Sequence, residues 1–135
     1  MSRKKAREKI YQLTFEYGFV KEINGRTFDI LTADSTLTPE DVAFIEAEYN
    51  GIILHYDDIV ARIMKHTPTY STSQRLATTD LSAMIVAVYE LLYSDVPPAV
   101  AINEAVDLVK VYGTEKSSGF VNGVLASILK EIQNG

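Results

Sequence analysis

Apolar residues recur at every third or fourth position along most of this 135-residue chain, and alternating apolar and polar runs are scarce. The clearest run follows Thr38, which we predict to cap a helix that begins at Pro39 and extends to about Lys65, with a break near Gly51 or His55. Its apolar residues are Val42, Ile45, Tyr49, Ile52, Tyr56, Ile59 and Ile63. Because such spacing forms one face of a helix, we predict an all-α protein of six to seven helices.

The remaining helices are predicted from the same period and from residues that start or stop helices. The first should span residues 4–17 and stop at Gly18. Residues 18–38, which contain the turn signal Asn24-Gly25, should form a short helix or a packed loop. The second half should hold a short helix within 71–77 and three longer helices. We predict that Thr79 caps the first of these, that the second follows Pro97-Pro98, and that Ser117 or Ser118 caps the third.

The composition excludes several classes of protein. The chain is 47% hydrophobic, which is too apolar for a disordered protein, and no apolar run approaches the roughly 18 residues of a membrane span. No apolar segment follows the basic N-terminus, so we expect no signal peptide. The absence of cysteine excludes disulfides, thiolate zinc sites and a cysteine nucleophile, and fits the cytoplasm. We therefore expect one cytoplasmic domain over residues 1–135, without a membrane partner.

The net charge of -5 conceals an asymmetry. The first seven residues contain four basic side chains and no acid, which leaves nine basic residues against 18 acidic residues in the remainder. The basic residues are Arg3, Lys4, Lys5 and Arg7. Three interpretations stay open for this basic tip: a solvated, partly frayed terminus, a membrane-surface helix, or a nucleic-acid contact to which Tyr11, Gln12 and Phe15 would add surface for bases.

Residues suited to catalysis are few and do not form a recognisable set. The candidate metal ligands are His55, Asp57, Asp58 and His66. On one helix, however, the two histidines would lie about 16 Å apart, too far to share a metal ion. Glu90 and Glu104 could act as acid and base, but pairing with a base such as Arg75 is the simpler interpretation. We expect no enzyme and no cofactor.

Three strings in the second half of the chain resemble the NusB family of transcription antitermination proteins in order and spacing. They are Tyr89-Glu90-Leu91, Ile102-Asn103-Glu104-Ala105-Val106 and Phe120-Val121-Asn122-Gly123-Val124-Leu125. The first helix is also similar to the opening helix of that family, including its basic motif. The resemblance covers the whole chain except residues 18–38. It implies two small helical bundles packed together, with no catalytic activity.

The resemblance also implies a function in RNA binding. NusB proteins bind the boxA element of ribosomal RNA leaders with NusE, a small-subunit ribosomal protein, and act with other Nus factors and RNA polymerase. Carried onto this chain, the RNA-binding residues are Arg3, Lys4, Lys5, Arg7 and Phe120. Phe15 and Asp80 match positions at or near the surface shared by RNA and partner. Lys116, where relatives often have an acid, is expected to add a phosphate contact.

Several alternatives stay open at this point. Some family members dimerise and others do not, so the sequence leaves a homodimer undecided. A NusB-like domain also stands at the front of certain ribosomal RNA methyltransferases, but the chain ends at Gly135 without a methyl-donor domain, so that alternative requires a fragment. A module that binds only NusE is the other alternative. Within the last string, we interpret Gly123 as a site of close helix packing.

Overall fold

The computed structural model describes residues 2–67 and 76–135, and these contain seven α-helices and no strand. The helices are α1 (Ser2–Val20), α2 (Gly25–Thr32), α3 (Pro39–Leu54), α4 (Tyr56–Lys65), α5 (Thr78–Tyr93), α6 (Pro98–Tyr112) and α7 (Ser117–Asn134). The all-α prediction is confirmed. None of the helices described is long and apolar enough to cross a membrane. The short helix predicted within 71–77 falls mostly outside the described residues.

The helices form two compact units: unit 1 is Met1–Leu54 and unit 2 is His55–Gly135. In unit 1, α1 packs along α3 and also contacts α2. In unit 2, α5 packs against α4, α6 and α7, while α6 and α7 pack against each other. Burial of each large aliphatic side chain stabilises such a unit by about 1.5–3 kcal/mol. The fully buried aliphatic side chains include Ile10, Leu13, Ile45 and Ile52 in unit 1, and Ile59, Met84, Leu125 and Ile128 in unit 2.

The end of α1 differs from the prediction. The helix continues through Gly18 to Val20, so the predicted stop at Gly18 is wrong. A glycine inside a helix costs only about 1 kcal/mol relative to alanine, which the packing of α1 against α3 tolerates. The helix ends instead at Lys21, whose φ of 57° is left-handed and whose N–H donates to the Tyr17 carbonyl over 2.9 Å.

Local hydrogen bonds explain where the next two helices begin. The Asn24 side chain accepts from the N–H groups of Arg26 and Thr27, so Asn24 caps α2, and the short-helix alternative for residues 18–38 is confirmed. Thr38 Oγ1 accepts from Asp41 N–H, and Asp41 Oδ2 accepts from Thr38 N–H, each over 3.1 Å. This reciprocal pair is a capping box, which confirms Thr38 as the cap of α3.

The long helix predicted after Pro39 is broken at one of the two expected positions. His55 has φ -108° and ψ 14°, and it separates α3 from α4, whereas Gly51 lies inside α3. In unit 2, α5 is the most buried helix, with Leu81, Met84 and Val88 among its buried residues, as its apolar sequence predicts. This helix therefore forms the centre of unit 2.

Two predicted caps in unit 2 are wrong. Ala77 occupies the cap position of α5, so Thr79 already belongs to the first turn. Lys116 occupies the cap position of α7, and Ser117 is its first residue. The Ser117 hydroxyl is buried and accepts from Thr114 N–H over 2.9 Å, so it binds the preceding loop instead of the free N–H groups of the helix.

The glycines around α7 provide a matched test of its packing. A Cβ at Gly113 would meet the Ser117 hydroxyl and would lie 2.8 Å from the Val109 carbonyl oxygen, whereas one at Gly119 or Gly123 would meet nothing within 4 Å. We expect Gly113→Ala to lower the free energy of unfolding by about 1–3 kcal/mol. Gly119→Ala and Gly123→Ala should raise it by up to about 1 kcal/mol each. Urea denaturation of the three variants measures this difference, and equal effects would contradict it.

The open space at Gly123 also corrects an interpretation of the sequence. Gly123 is exposed on α7, so it does not allow close packing between helices of this unit. Asn122 beside it is exposed as well. The outward-facing middle of the string, Asn122 and Gly123, is therefore accessible to a partner or ligand.

Candidate nucleic-acid interface

The first basic residue is held against α3 by two kinds of contact. Arg3 Nε lies 3.4 Å from Asp41 Oδ1, and its guanidinium carbon lies 4.1 Å from the centroid of the Phe44 ring. The Asp41 side chain is 3% exposed and that of Arg3 is 45% exposed. A buried carboxylate thus fixes one side of the guanidinium, while the other side remains accessible to an anion.

Arg7 lies in a different environment from the other basic residues of the tip. It is 8% exposed, and its guanidinium carbon is 5.6 Å from the centroid of the same Phe44 ring. Burial limits direct contact with a phosphate, and the aromatic contact favours a role in supporting Phe44 and Arg3. Phe44 was not identified from the sequence. It lies far from α1 in the chain, and no local spacing relates it to the arginines.

The lysines of α1 extend the positive surface beyond Arg3. Lys4 is exposed, and the Lys5 side chain is 41% exposed with its Nζ 3.7 Å from Asp34 Oδ2. Lys9 Nζ lies 3.6 Å from the same oxygen, but its side chain is only 16% exposed. The more accessible lysines are therefore Lys4 and Lys5, and Asp34 neutralises part of the charge of Lys5.

Asp34 is itself strongly stabilised in its ionised form. The Thr36 hydroxyl donates to Asp34 Oδ1 over 2.6 Å, and Thr36 N–H donates to the same oxygen over 2.9 Å. These hydrogen bonds, with a smaller contribution from the charges of Lys5 and Lys9, lower the pKa of Asp34 to about 2. The carboxylate is thus an anion at neutral pH.

The lowered pKa predicts how acid affects unit 1. Because the pKa of Asp34 is about 2 in the folded chain and 3.8 ordinarily, the unfolded chain binds the proton first. The stabilisation by this carboxylate should be complete above about pH 4 and lost as the pH falls toward about 2. Melting temperatures measured across this window should fall more steeply for the natural chain than for Asp34→Asn. Parallel curves for the two proteins would contradict the assignment.

Lys116 and Phe120 lie one turn apart at the start of α7 in unit 2. Lys116 is exposed, Phe120 is half-buried, and Phe120 N–H donates to the Lys116 carbonyl over 3.2 Å. The first N–H groups of a helix and its dipole favour anions at this end. A lysine, a helix N-terminus and an accessible ring are thus combined within one turn.

The two residues predicted at the partner surface lie in different units. Phe15 on α1 is half-buried between two other aromatic rings, with centroid distances of 6.5 Å to Tyr11 and 5.1 Å to Phe19. Phe19 is 64% exposed and was not identified from the sequence, although its spacing of four residues from Phe15 was a usable signal. Asp80, in the first turn of α5, is 8% exposed, and its Oδ1 has no hydrogen-bond partner within the described parts of the chain.

The histidines and buried glutamates have structural contacts in unit 2. His55 stacks on Tyr93 with centroids 4.1 Å apart, and His66 contacts Ser127 and Glu131. Hydrogen bonds from His66 and Lys65 hold the pKa of Glu131 below its ordinary value. No group of three or more acidic or histidine ligands that could hold a metal ion occurs in residues 2–67 and 76–135. Glu90 is buried and Glu104 half-buried, while Arg75 lies outside the described residues.

Comparisons with known proteins find similarity along almost the whole chain. The NusB family model matches residues 1–130. The transcription antitermination protein NusB of Finegoldia magna is 36% identical over 135 residues, which cover 99% of this chain and 98% of that protein. The NusB structure of T. maritima is 30% identical with a TM-score of 0.84 and coverage of 97% and 92%. A chain in the crystal structure of antitermination factors NusB and NusE in complex with dsRNA is 28% identical, with a TM-score of 0.81 and coverage of 96% and 97%.

Proposed function

Because this chain belongs to the NusB family of transcription antitermination proteins, we propose that it binds boxA-type single-stranded RNA of ribosomal RNA leaders together with NusE. It acts by binding and performs no catalysis. We extend the proposal to assembly with other Nus factors and RNA polymerase in the cytoplasm. The observation that supports it best is the accessible basic end of α1, where Arg3 and Lys4 are exposed and Lys5 is partly exposed on an otherwise acidic chain.

The proposed RNA contacts have complementary chemical roles. Arg3, Lys4 and Lys5 would neutralise phosphates, while Arg7 would act mainly by holding Phe44 beneath Arg3. Phe120 would give one unpaired base a face on which to stack, and Lys116 would bind a phosphate at the N-terminus of α7. Single-stranded RNA suits this set because its bases are free to stack, whereas an A-form helix hides its base edges in a deep groove.

The proposed NusE contacts use one apolar and one acidic group. Phe15, together with the exposed Phe19, offers an aromatic surface on α1. Asp80, which is 8% exposed in the first turn of α5, offers a negative charge that would attract a basic ribosomal protein. The excess of acidic residues outside the first seven positions would attract such a partner and keep RNA away from other faces.

RNA binding with and without NusE tests the proposal. We expect the chain to bind boxA RNA more tightly than a scrambled RNA of equal length and composition, and NusE to increase this preference. Since the related complex contains dsRNA, a double-stranded boxA sample should be the third ligand, and we expect it to bind more weakly than the single strand. Equal affinity for boxA and scrambled RNA with and without NusE would contradict an antitermination role. Binding of NusE alone, without RNA, would support the simpler interaction module.

Replacing Asp80 tests the partner surface separately from the RNA surface. Asp80→Asn should lower the affinity for NusE about 10-fold or more, because a hydrogen bond to a charged group contributes about 1.5–3 kcal/mol. Asp80 Oδ1 has no partner in the described chain, so the melting temperature should change little. Calorimetric titration with NusE measures the change, and Asp95→Asn, an exposed residue of unit 2, is the matched control. Equal affinities for the two variants would remove Asp80 from the interface.

A further inference from the structure

A cavity in unit 1 lies apart from the basic tip of α1. It has a volume of about 290 Å³ and is formed by residues of α2, of α3 and of the segment that precedes α2. The residues that matter here are Ile23, Phe28, Asp29, Glu46, Tyr49 and Asn50. The polar and the apolar residues of its lining each constrain what the cavity can bind.

Tyr49, one of the residues that line the cavity, carries a buried hydroxyl group without a described partner. Tyr49 is 2% exposed, and its hydroxyl has no hydrogen-bond partner among the described residues. A buried polar group left without a hydrogen bond destabilises a protein, so a partner from outside the described chain would be favourable here. Burial, and then the charge of Glu16, raise the pKa of Tyr49 to about 12, so the phenol stays neutral and can both donate and accept.

The charged residues that line the cavity are both acidic. Asp29 on α2 and Glu46 on α3 are exposed, and no basic residue is among those that line it in the described chain. Glu16, which acts on Tyr49 from α1, also has one buried carboxylate oxygen without a hydrogen-bond partner in the described parts of the chain. Its other oxygen accepts from the Thr27 hydroxyl over 2.7 Å. The electrostatic environment therefore favours a cation and disfavours a phosphate.

The remaining wall is apolar and partly aromatic. Ile23 is 57% exposed, and Phe28 of α2 is half-buried beside it. No residue of α2 is fully buried, although one face of this helix is apolar, so this helix has apolar surface left for another molecule. A guest with an aliphatic stem and a planar cationic end would match both parts of the cavity.

We propose that this cavity binds an arginine side chain from a basic segment of a partner protein. The aliphatic stem would lie on Ile23 and Phe28, and the guanidinium would reach Asp29, Glu46 and the Asn50 side chain. Five N–H donors in one plane can serve several acceptors at once, which the three donors of a lysine ammonium do less well. The Tyr49 hydroxyl would gain a partner in the same event. The inference concerns a protein ligand and does not depend on RNA binding.

Nuclear magnetic resonance of the full chain, without RNA or NusE, tests the inference with small probes. The probe is N-acetyl-arginine amide, and its neutral isostere N-acetyl-citrulline amide is the control. We expect the arginine compound to shift backbone signals of Phe28, Tyr49 and Asn50 in a saturable manner, and the citrulline compound to shift them far less. Equal shifts with citrulline, or equal binding of N-acetyl-lysine amide, would overturn the proposal.

Variants of the cavity sharpen the test. Glu46→Gln should weaken binding of the arginine compound about 10-fold, since it removes a charged acceptor, whereas Glu40→Gln on the same helix should leave it unchanged. Tyr49→Phe keeps the ring and removes only the hydroxyl, so it should weaken the probe without lowering the melting temperature. Binding that neither Glu46→Gln nor Tyr49→Phe weakens would place the probe elsewhere and overturn the inference. Loss of RNA binding in the natural chain would leave this result unaffected.

Discussion

Replacing Lys4 and Lys5 together with glutamine is expected to weaken binding of boxA RNA about 15-fold near physiological salt. It should also reduce the slope of log affinity against log salt by about 1.4. Each phosphate contact with single-stranded RNA contributes about 0.7 to that slope, and the two exposed lysines account for two contacts. Fluorescence anisotropy of labelled RNA at several salt concentrations measures both quantities for the natural chain and the variant.

The matched control removes the same charge from another surface. Lys110 on α6 and Lys130 on α7 are exposed, and their replacement by glutamine should change the slope little. The melting temperature of the Lys4 and Lys5 variant should stay close to that of the natural chain. The ion pair of Lys5 with Asp34 lies at the surface, where such pairs contribute about 0–1 kcal/mol. An unchanged salt slope would contradict the RNA assignment, and a large loss of stability would give the lysines a structural role.

Leu125→Ala is expected to lower the free energy of unfolding by about 2–5 kcal/mol. Leu125 is 0% exposed on α7, the helix that packs against both α5 and α6. Truncation removes apolar burial and leaves a cavity that the neighbouring helices fill only in part. The melting temperature should fall by about 10 °C for a chain of this size. Urea denaturation and thermal melting followed by circular dichroism provide the two measurements.

An exposed position on the same helix is the control for this second prediction. Gln133→Ala should change the free energy of unfolding by less than about 0.5 kcal/mol, because Gln133 is exposed near the end of α7. A loss below about 1 kcal/mol for Leu125→Ala would show that α7 does not pack as described. The folded fraction of either variant should still bind RNA, since neither residue belongs to the proposed interface.

The sequence predicted several features that depend on neighbouring residues, although its caps for α5 and α7 were wrong. Thr38 as the cap of α3, a break near Gly51 or His55, and the apolar stripe of α5 follow from local spacing and were predicted. The end of α1 was not, because nothing in the chain marks Lys21 as left-handed while Gly18 is an ordinary stop signal. Gly123 was misinterpreted for a related reason: a glycine in a helix indicates either close packing or open space, and only tertiary structure distinguishes them.

The candidate site also contains features that the sequence predicted and features that it did not. Lys116 and Phe120 are four residues apart, so their position within one turn of α7 followed from the sequence. The basic residues of α1 could likewise be identified from the sequence, but their burial and contacts could not. The burial of Arg7 and the position of Phe44 depend on how α1 packs along α3. The unpartnered hydroxyl of Tyr49 depends on all three helices of unit 1, which no local pattern encodes.

Because of the contacts of Arg3, the arginine and the lysines of the tip differ in the entropy that they lose on binding. Free arginine and lysine side chains each carry about 2 kcal/mol of rotamer entropy, and ordering them opposes association. Arg3 is already oriented by Asp41 and Phe44, so a phosphate meets a guanidinium whose freedom was reduced when the chain folded. Lys5 has a longer contact, with its Nζ 3.7 Å from Asp34 Oδ2, so its flexible side chain is less fixed before the ligand binds. Preorganisation would therefore make Arg3 selective for the geometry of one phosphate, while the lysines attract any polyanion.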